Sequence, residues 1–350
     1  MSLPEVMRAI RVAAFGERPV LTTVPVPVPG PRDALGRVAA TGLCRSDVHA
    51  WHGDDSNALP YTPGHELAGT VVAVGSAVAR VTLGDRITTP FVCGCGACDD
   101  CARGDAQVCR DQQQPGFTYD GSFAEYVLVR NADFNAVTLG DDIPFAAAAL
   151  LGCRFATSYR GLVDRARLAA GETVVVLGCG GVGLSAVRIA VALGARVVAV
   201  DVAAGALELA REGGASVTIS AAGLSDDELV AAIRGATDGG APVAVEALGL
   251  ASTLAVGLRS LANGGRLVQI GLLVEDPVVP LGEVIARELA VLGSHGMSAA
   301  DYPRMLDLVR SGALDPAAIV RRTIALDDVP DALLELHGGD APAGVTLIVP

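Results

Sequence analysis

Long apolar runs are missing from this 350-residue sequence, although 51% of it is apolar and its mean hydropathy is +0.45. The most apolar stretch, Ala186 to Val200, is broken by Arg188 and Arg196 and is too short for the roughly 20 residues that a membrane helix needs. No secretion leader is expected either: Glu5 and Arg8 fall where its apolar region belongs, and no small-residue cleavage site follows. These absences predict a cytoplasmic protein with no membrane partner. Positive charge is also scarce. The 26 basic and 39 acidic residues leave a net charge of −13, which repels phosphate backbones and excludes nucleic acid as a partner. There is no internal repeat and no low-complexity linker. The eight cysteines lack the spread of a disulfide framework. Cys93, Cys95, Cys98, Cys101 and Cys109 crowd into one segment, whereas Cys44, Cys153 and Cys179 lie apart, and without a leader such crowding favours metal ligation.

A chain of this length exceeds what one hydrophobic core serves, so two domains are expected. From about Arg11 to Val129 short β-rich runs (RVAAF, TTVPVPVPGP, GTVVAV, FAEYVLV) are separated by Pro and Gly, which predicts an irregular, mainly β region. After about Phe155 the runs TVVVLG, RVVAVD, SVTIS, VAVEALG, RLVQIG and LAVLGS alternate with Ala-rich helical stretches. That alternation predicts an α/β domain with a doubly wound parallel sheet. Its first helix should run from Val182 to Leu193, with Gly194 at its C-terminus. Beyond about Gly296 the alternation stops; a helix over Tyr302–Val309 and a strand in GVTLIV are read as a return to the first domain. The expected division is 1–153, with a cysteine-rich lobe at about 93–110, then 154–295, then 296–350.

In TVVVLGCGGVGL the glycines Gly178, Gly180 and Gly183 have the GxGxxG spacing between a predicted strand and a predicted helix. The first allows a tight turn, the second lets a pyrophosphate approach the backbone, and the third lets helix and strand pack closely. The helix start at Gly181 and Val182 supplies N–H groups to the phosphates. The next strand ends in Asp201, placed to accept from ribose hydroxyls and to repel a 2′-phosphate; no basic residue follows before Arg211, so NAD is favoured over NADP. Cys179, inside the loop, reads as a small filler.

Cys95, Cys98, Cys101 and Cys109 form a C-x2-C-x2-C-x7-C run eased by Gly94, Gly96 and Gly104. Four thiolates close a tetrahedron around zinc and leave no open position, so the site is structural; an iron–sulfur cluster is the competing reading, and Cys93 is a spare thiol. A dispersed set comprises Cys44, Ser46, Asp47 and His49 in GLCRSDVHAWHG, His65 and Glu66 in PGHELAG, and Cys153 in LLGCRFAT. Two of these with Cys153 make a Cys₂His site open at a fourth position.

The GHE-x2-G-x5-G pattern at Gly64 to Gly75, CRSDVHAWHG, the four-cysteine lobe and GxGxxG together resemble the zinc-containing medium-chain dehydrogenases, of the alcohol dehydrogenase type, from about Ile10 onward. The resemblance implies a GroES-like catalytic domain beside a Rossmann cofactor domain, and hydride transfer between an alcohol and NAD with two zinc ions per subunit. It implies that Cys44, His65 and Cys153 hold the catalytic zinc and Cys95, Cys98, Cys101 and Cys109 the structural one. It makes Glu66 the carboxylate behind the zinc and a transient ligand, Asp47 the acceptor for the histidine ligand, Ser46 and His49 the proton relay, and Arg45 a pyrophosphate contact. Trp51 and Phe91 resemble positions at the substrate site. Where ethanol-specific relatives carry a bulky aromatic, this chain has DDSNALPY with Asp55, which predicts a roomier pocket. Relatives often have a basic residue after the glycine of the last strand, whereas here Val345 stands there. The implied partner is a small alcohol or carbonyl compound, in a homo-tetramer or homodimer. A polyol, threonine or aldehyde-oxidising dehydrogenase is the alternative. A zinc-free quinone or enoyl reductase would lack Cys44, His65 and the lobe, and a crystallin-like protein would have eroded ligands.

Overall fold

The computed structural model describes all residues except 1–2, 56 and 274–275. The chain forms two compact units, one made of 1–156, 296–310 and 316–350, the other of 157–295 and 311–315.

The first unit is built on a seven-stranded sheet in which Ala34–Gly42 is the hub. That strand pairs antiparallel with Leu67–Val74, Tyr126–Val129 and Val345–Ile348, and Val345–Ile348 continues in parallel to Val320–Ile324. A separate hairpin joins Val6–Arg11 to Val20–Pro25. This corrects the expected RVAAF strand: only Arg11 of that run lies in it. The paired residues Met7 and Ala9 point inward with a period of two, whereas the run beyond Val12 turns outward until Phe15 stands 39% exposed. The core of this unit gathers Ile10, Val12, Leu43, Val48, Trp51, Tyr61 and Phe123, with Val329 and Leu333 from the helix Val329–Gly338.

In the second unit six parallel strands follow the order Val217–Ser220, Arg196–Asp201, Thr173–Leu177, Ala241–Glu246, Leu261–Gln269, Ala290–Gly293. All six coincide with the apolar runs read from the sequence. Thr173–Leu177, Arg196–Asp201 and Ala241–Glu246 are buried along most of their length, as strands covered on both faces are, which is why they read as near-continuous apolar runs. The order reverses beside Thr173–Leu177, and the glycine loop follows that strand at the switch point where such sheets bind ligands. The helix runs Gly181–Ala192, and Gly194 takes the left-handed conformation at its end with φ 78°. Among the described residues no helix is long and apolar enough to cross a membrane.

Candidate functional site

Cys44 ends the hub strand's turn and caps the helix Arg45–His52, with its N–H donating to Asp47 Oδ2 at 2.9 Å. Asp47 Oδ1 accepts from the Gly64 N–H at 3.2 Å and lies 2.9 Å from His65 Nδ1, so one buried carboxylate joins the segment before the helix to the segment before the next strand. With Nδ1 thus engaged, the fully buried Nε2 of His65 has no hydrogen-bond partner. A buried polar atom left without a partner is costly unless something is there to receive it. The ligand atoms of Cys44, His65 and Cys153 lie within 4.8 Å of one another, and the donor set of two thiols and one imidazole suits zinc. The carboxylate behind the imidazole fixes its tautomer and raises its basicity as a ligand. Burial opposes a charge on His65, but Asp47 outweighs it and holds the ring's pKa well above its ordinary value. The Cys153 thiol, with help from His65 and Arg154, favours thiolate at Cys44.

Cys153 sits in the π-helical turn Leu151–Phe155, a form common at functional sites. The residue after it, Arg154, was not singled out from the sequence. Its buried guanidinium forms a two-pronged ion pair with Glu66, Nε lying 2.9 and 2.8 Å from the two carboxylate oxygens and Nη2 2.6 Å from Oε2. The transient-ligand role expected of Glu66 is therefore set against an arginine that already engages both its oxygens. An arginine inside FAAAALLGCRFAT was the available signal, since a charge in so apolar a run requires a buried partner.

Helical spacing sorts the remaining residues. Asp47, Val48, Ala50 and Trp51 face inward. Trp51 packs in the core, donating from Nε1 to the Glu17 carbonyl at 2.6 Å and meeting His337 edge-on. Ser46 and His49, three residues apart, share the outer side; Ser46 Oγ is 3.9 Å from Cys44 Sγ, and His49 Nδ1 is 2.9 Å from Asp54. Arg45 Nη1 donates to the Leu336 carbonyl at 2.8 Å. Phe91 packs with Cys44, Val92 and Cys153, and its ring and that of His65 meet in a T-shape with centres 5.9 Å apart. Phe117, also missed in the sequence, packs against that imidazole with ring centres 5.1 Å apart. It borders a cavity of about 380 Å³ shared with Asp55, Asn57, Ala58, Gln114 and Thr118.

In the lobe, Cys95 and Cys101 sulfurs are 4.0 Å apart and those of Cys98 and Cys109 are 3.6 Å apart. A tetrahedron with zinc–sulfur bonds of about 2.3 Å requires about 3.8 Å. All four sulfurs lie within 4.8 Å of one another, close enough to surround one ion, whereas a cluster spreads its cysteines over two or four irons. The Cys101 N–H pulls the Cys98 thiol down to about 7, while burial pushes Cys101 up to about 12. Cys93 stays outside, buried near Thr89 and Tyr119.

In the second unit Gly178 adopts φ 91°, and a Cβ on Gly183 would overlap the Gly178 carbonyl. The first helical bond is Leu184 N–H to the Gly180 carbonyl, so the amides of Gly181, Val182 and Gly183 precede it. Asp201 Oδ2 accepts from the Cys179 N–H at 2.6 Å and Oδ1 from the Ala203 N–H at 2.8 Å, bracing the loop. Burial pushes the Cys179 thiol up to about 12, in keeping with a filler. Val345 is buried in the last strand of the first unit.

Residues 30–139 match the alcohol dehydrogenase GroES-like domain family and residues 181–311 the zinc-binding dehydrogenase family. The chain is 32% identical to an NAD-dependent alcohol dehydrogenase of Sulfurisphaera tokodaii, covering 98% of this chain and all of that one. It is also 32% identical to an L-threonine 3-dehydrogenase of Symbiobacterium thermophilum, over 99% of both. The solved alcohol dehydrogenase TADH from Thermus sp. ATN1 superposes with a TM-score of 0.89 at 30% identity, covering 98% of this chain and 99% of that one.

Proposed function

The chain belongs to the zinc-containing medium-chain dehydrogenases of the alcohol dehydrogenase type, and within that family we propose that it interconverts alcohols with aldehydes or ketones, with NAD as hydride carrier and zinc held by Cys44, His65 and Cys153. The observation that carries this reading is the unpartnered His65 Nε2 turned toward two thiols while Asp47 holds Nδ1. Held by Cys44, His65 and Cys153, zinc would supply Lewis-acid chemistry toward the substrate oxygen. The protein's own groups do the rest. Ser46, beside Cys44, takes the alcohol proton, and His49, one turn along the same side and tied to Asp54, is the next acceptor toward solvent. Phe91 and Phe117 keep the imidazole's surroundings apolar.

On the cofactor side, the amides of Gly181, Val182 and Gly183 and the dipole of their helix suit a pyrophosphate, and Asp201 suits a free ribose 2′-hydroxyl over a phosphate. Arg45 is the further cation for the pyrophosphate. The four-sulfur lobe takes the second, structural zinc. Eight free cysteines suit a reducing, cytoplasmic compartment. A homo-oligomer, dimer or tetramer, is favoured by Ala290–Gly293. It is an edge strand on which Val291 is 45% exposed, and the preceding Val278, Leu281 and Ile285 are 92%, 63% and 78% exposed.

The relative that acts on threonine keeps a second reading in view, a polyol, threonine or aldehyde-oxidising dehydrogenase. Cys153 favours the first, because relatives acting on polyols often have a carboxylate there. The deciding experiment measures zinc content and NADH formation over a panel of primary, secondary and aromatic alcohols, polyols and threonine. Two zinc ions per chain, with turnover of simple alcohols exceeding that of polyols and threonine, are expected. One zinc or none with activity retained would refute the zinc assignment, and faster turnover of polyols or threonine would replace the substrate reading.

A further inference from the structure

Three separate parts of the chain deliver Cys44, His65 and Cys153, and a metal site built this way is only as firm as the links between those parts. Asp47 links two of them through the Cys44 N–H and His65 Nδ1. The third is linked by Arg154. Its backbone N–H donates to Glu66 Oε1 at 2.9 Å, its guanidinium grips both Glu66 oxygens, and its Nη2 also donates to the Leu43 carbonyl at 2.9 Å. Leu43, Glu66 and Arg154 each adjoin one residue of the ligand set. Arg154 is 3% and Glu66 0% exposed at the side chain, so no solvent competes for these bonds. The surrounding backbone is shaped to admit them: a Cβ on Gly42 would overlap the Glu66 carboxylate and come within 3.3 Å of Arg154 Nη2, while the Gly42 N–H donates to the Glu66 carbonyl at 2.9 Å.

We infer that Arg154 is a positioning residue for the catalytic metal: by bonding to the neighbour of each ligand it holds Cys44, His65 and Cys153 in register and keeps the Glu66 carboxylate turned away from the ion. This rests on the assignment of those three residues as zinc ligands. A planar fork is needed for the task, because the group must meet two carboxylate oxygens and a carbonyl at once; a lysine ammonium can pair with Glu66 but does not reproduce that geometry.

The test follows zinc release from the loaded full-length protein into a chromophoric chelator. The phase that a Cys44→Ser variant lacks belongs to the three-ligand site, and the remaining phase belongs to the cysteine lobe. Arg154→Met should speed the Cys44-dependent phase about 10- to 100-fold, the usual effect of losing an outer partner of a metal ligand, and leave the lobe's phase unchanged. Arg154→Lys should fall between. Because Arg154→Met strands a buried carboxylate and can prevent folding, the paired variant Glu66→Gln/Arg154→Met, which strands no charge, must show the same selective acceleration. Parental release from the paired variant, or equal acceleration of both phases, would overturn the inference. A parent protein with no Cys44-dependent phase would instead overturn the zinc assignment and this inference with it.

Discussion

Replacing Asp47 by Asn changes one oxygen into an NH₂ group at a point where the structure needs acceptors only. The Cys44 N–H, the Gly64 N–H and His65 Nδ1 converge on the two oxygens, and all are buried. The amide offers one accepting oxygen. Turned toward His65 and Gly64, it sets its NH₂ against the Cys44 N–H and leaves a buried donor unpaired, at a cost of about 1–3 kcal/mol of stability. Turned the other way, it donates to Nδ1 and forces the imidazole into the tautomer whose Nε2 carries hydrogen and cannot ligate. Either way the site loses a charged outer partner, which typically weakens a metal by about 10- to 100-fold, or about 1.4–2.7 kcal/mol. Competitive chelator titration should show one zinc per chain weakened by that factor and the other unchanged. Unaltered affinity at both sites in the folded Asp47→Asn protein would refute the argument that Asp47 sets the imidazole's tautomer.

Asp201→Gly should narrow the preference for NAD over NADP, since a lost ribose hydrogen bond and a lost repulsion are each worth about 1–3 kcal/mol; kcat/KM ratios measure it, and equal use of both cofactors by the parent would refute the assignment. His49→Gln should slow alcohol oxidation most at neutral to mildly acidic pH and least in alkali, where hydroxide accepts the proton, whereas Ser46→Ala should slow it at every pH by part of the roughly 10²–10⁴-fold that base assistance provides. Parallel pH–rate profiles for His49→Gln and the parent would remove His49 from the relay. Burial works against the Asp133 carboxylate, but the N–H groups of Ala79, Arg80 and Val81 outweigh it and hold its pKa below the ordinary value. Its contribution is therefore full above about pH 4 and is lost as pH falls through the lower folded value. Thermal midpoints of the parent should exceed those of Asp133→Asn at pH 7 and converge with them in acid, and a constant gap would count against it.

The second unit was legible because its two covered faces force continuous apolar strands, and six such runs became six strands. The glycine loop was legible for a related reason: Gly183 has to admit the Gly178 carbonyl, and no other residue type does so. The lobe's four cysteines could be grouped by spacing, since ligands that close in sequence can hardly serve different ions. The inward packing of Trp51 was not legible because the motif around it names residue types, while the side each one faces depends on helix phase, set by Cys44 and Asp47 at the first turn. Arg154 escaped notice because its partners, Leu43 and Glu66, are 111 and 88 residues away, and long-range pairs leave no periodic trace. Asp201 was placed at the strand end correctly, but its bond to the Cys179 amide depends on the loop's path, which no spacing encodes.

The strand Val345–Ile348 pairs with the hub strand Ala34–Gly42, and the Thr346 carbonyl accepts from the Leu43 N–H at 3.0 Å, one residue before the ligand Cys44. A growing chain on the ribosome therefore makes Cys44 and its helix roughly 300 residues before it makes the group that anchors them. The second unit, continuous over 157–295 apart from a short segment, can close while the rest is still being made. The first unit, which takes in 316–350, cannot. Until the strand Val345–Ile348 docks, the Leu43 N–H beside Cys44 lacks this acceptor, whereas the four sulfurs of the lobe are all made by Cys109. If both sites take zinc, the lobe has its full ligand set first, and the three-ligand site gains its last brace only when this strand docks. A protease that trims that strand from the finished protein should loosen the segment around Cys44 and leave the four-sulfur lobe intact.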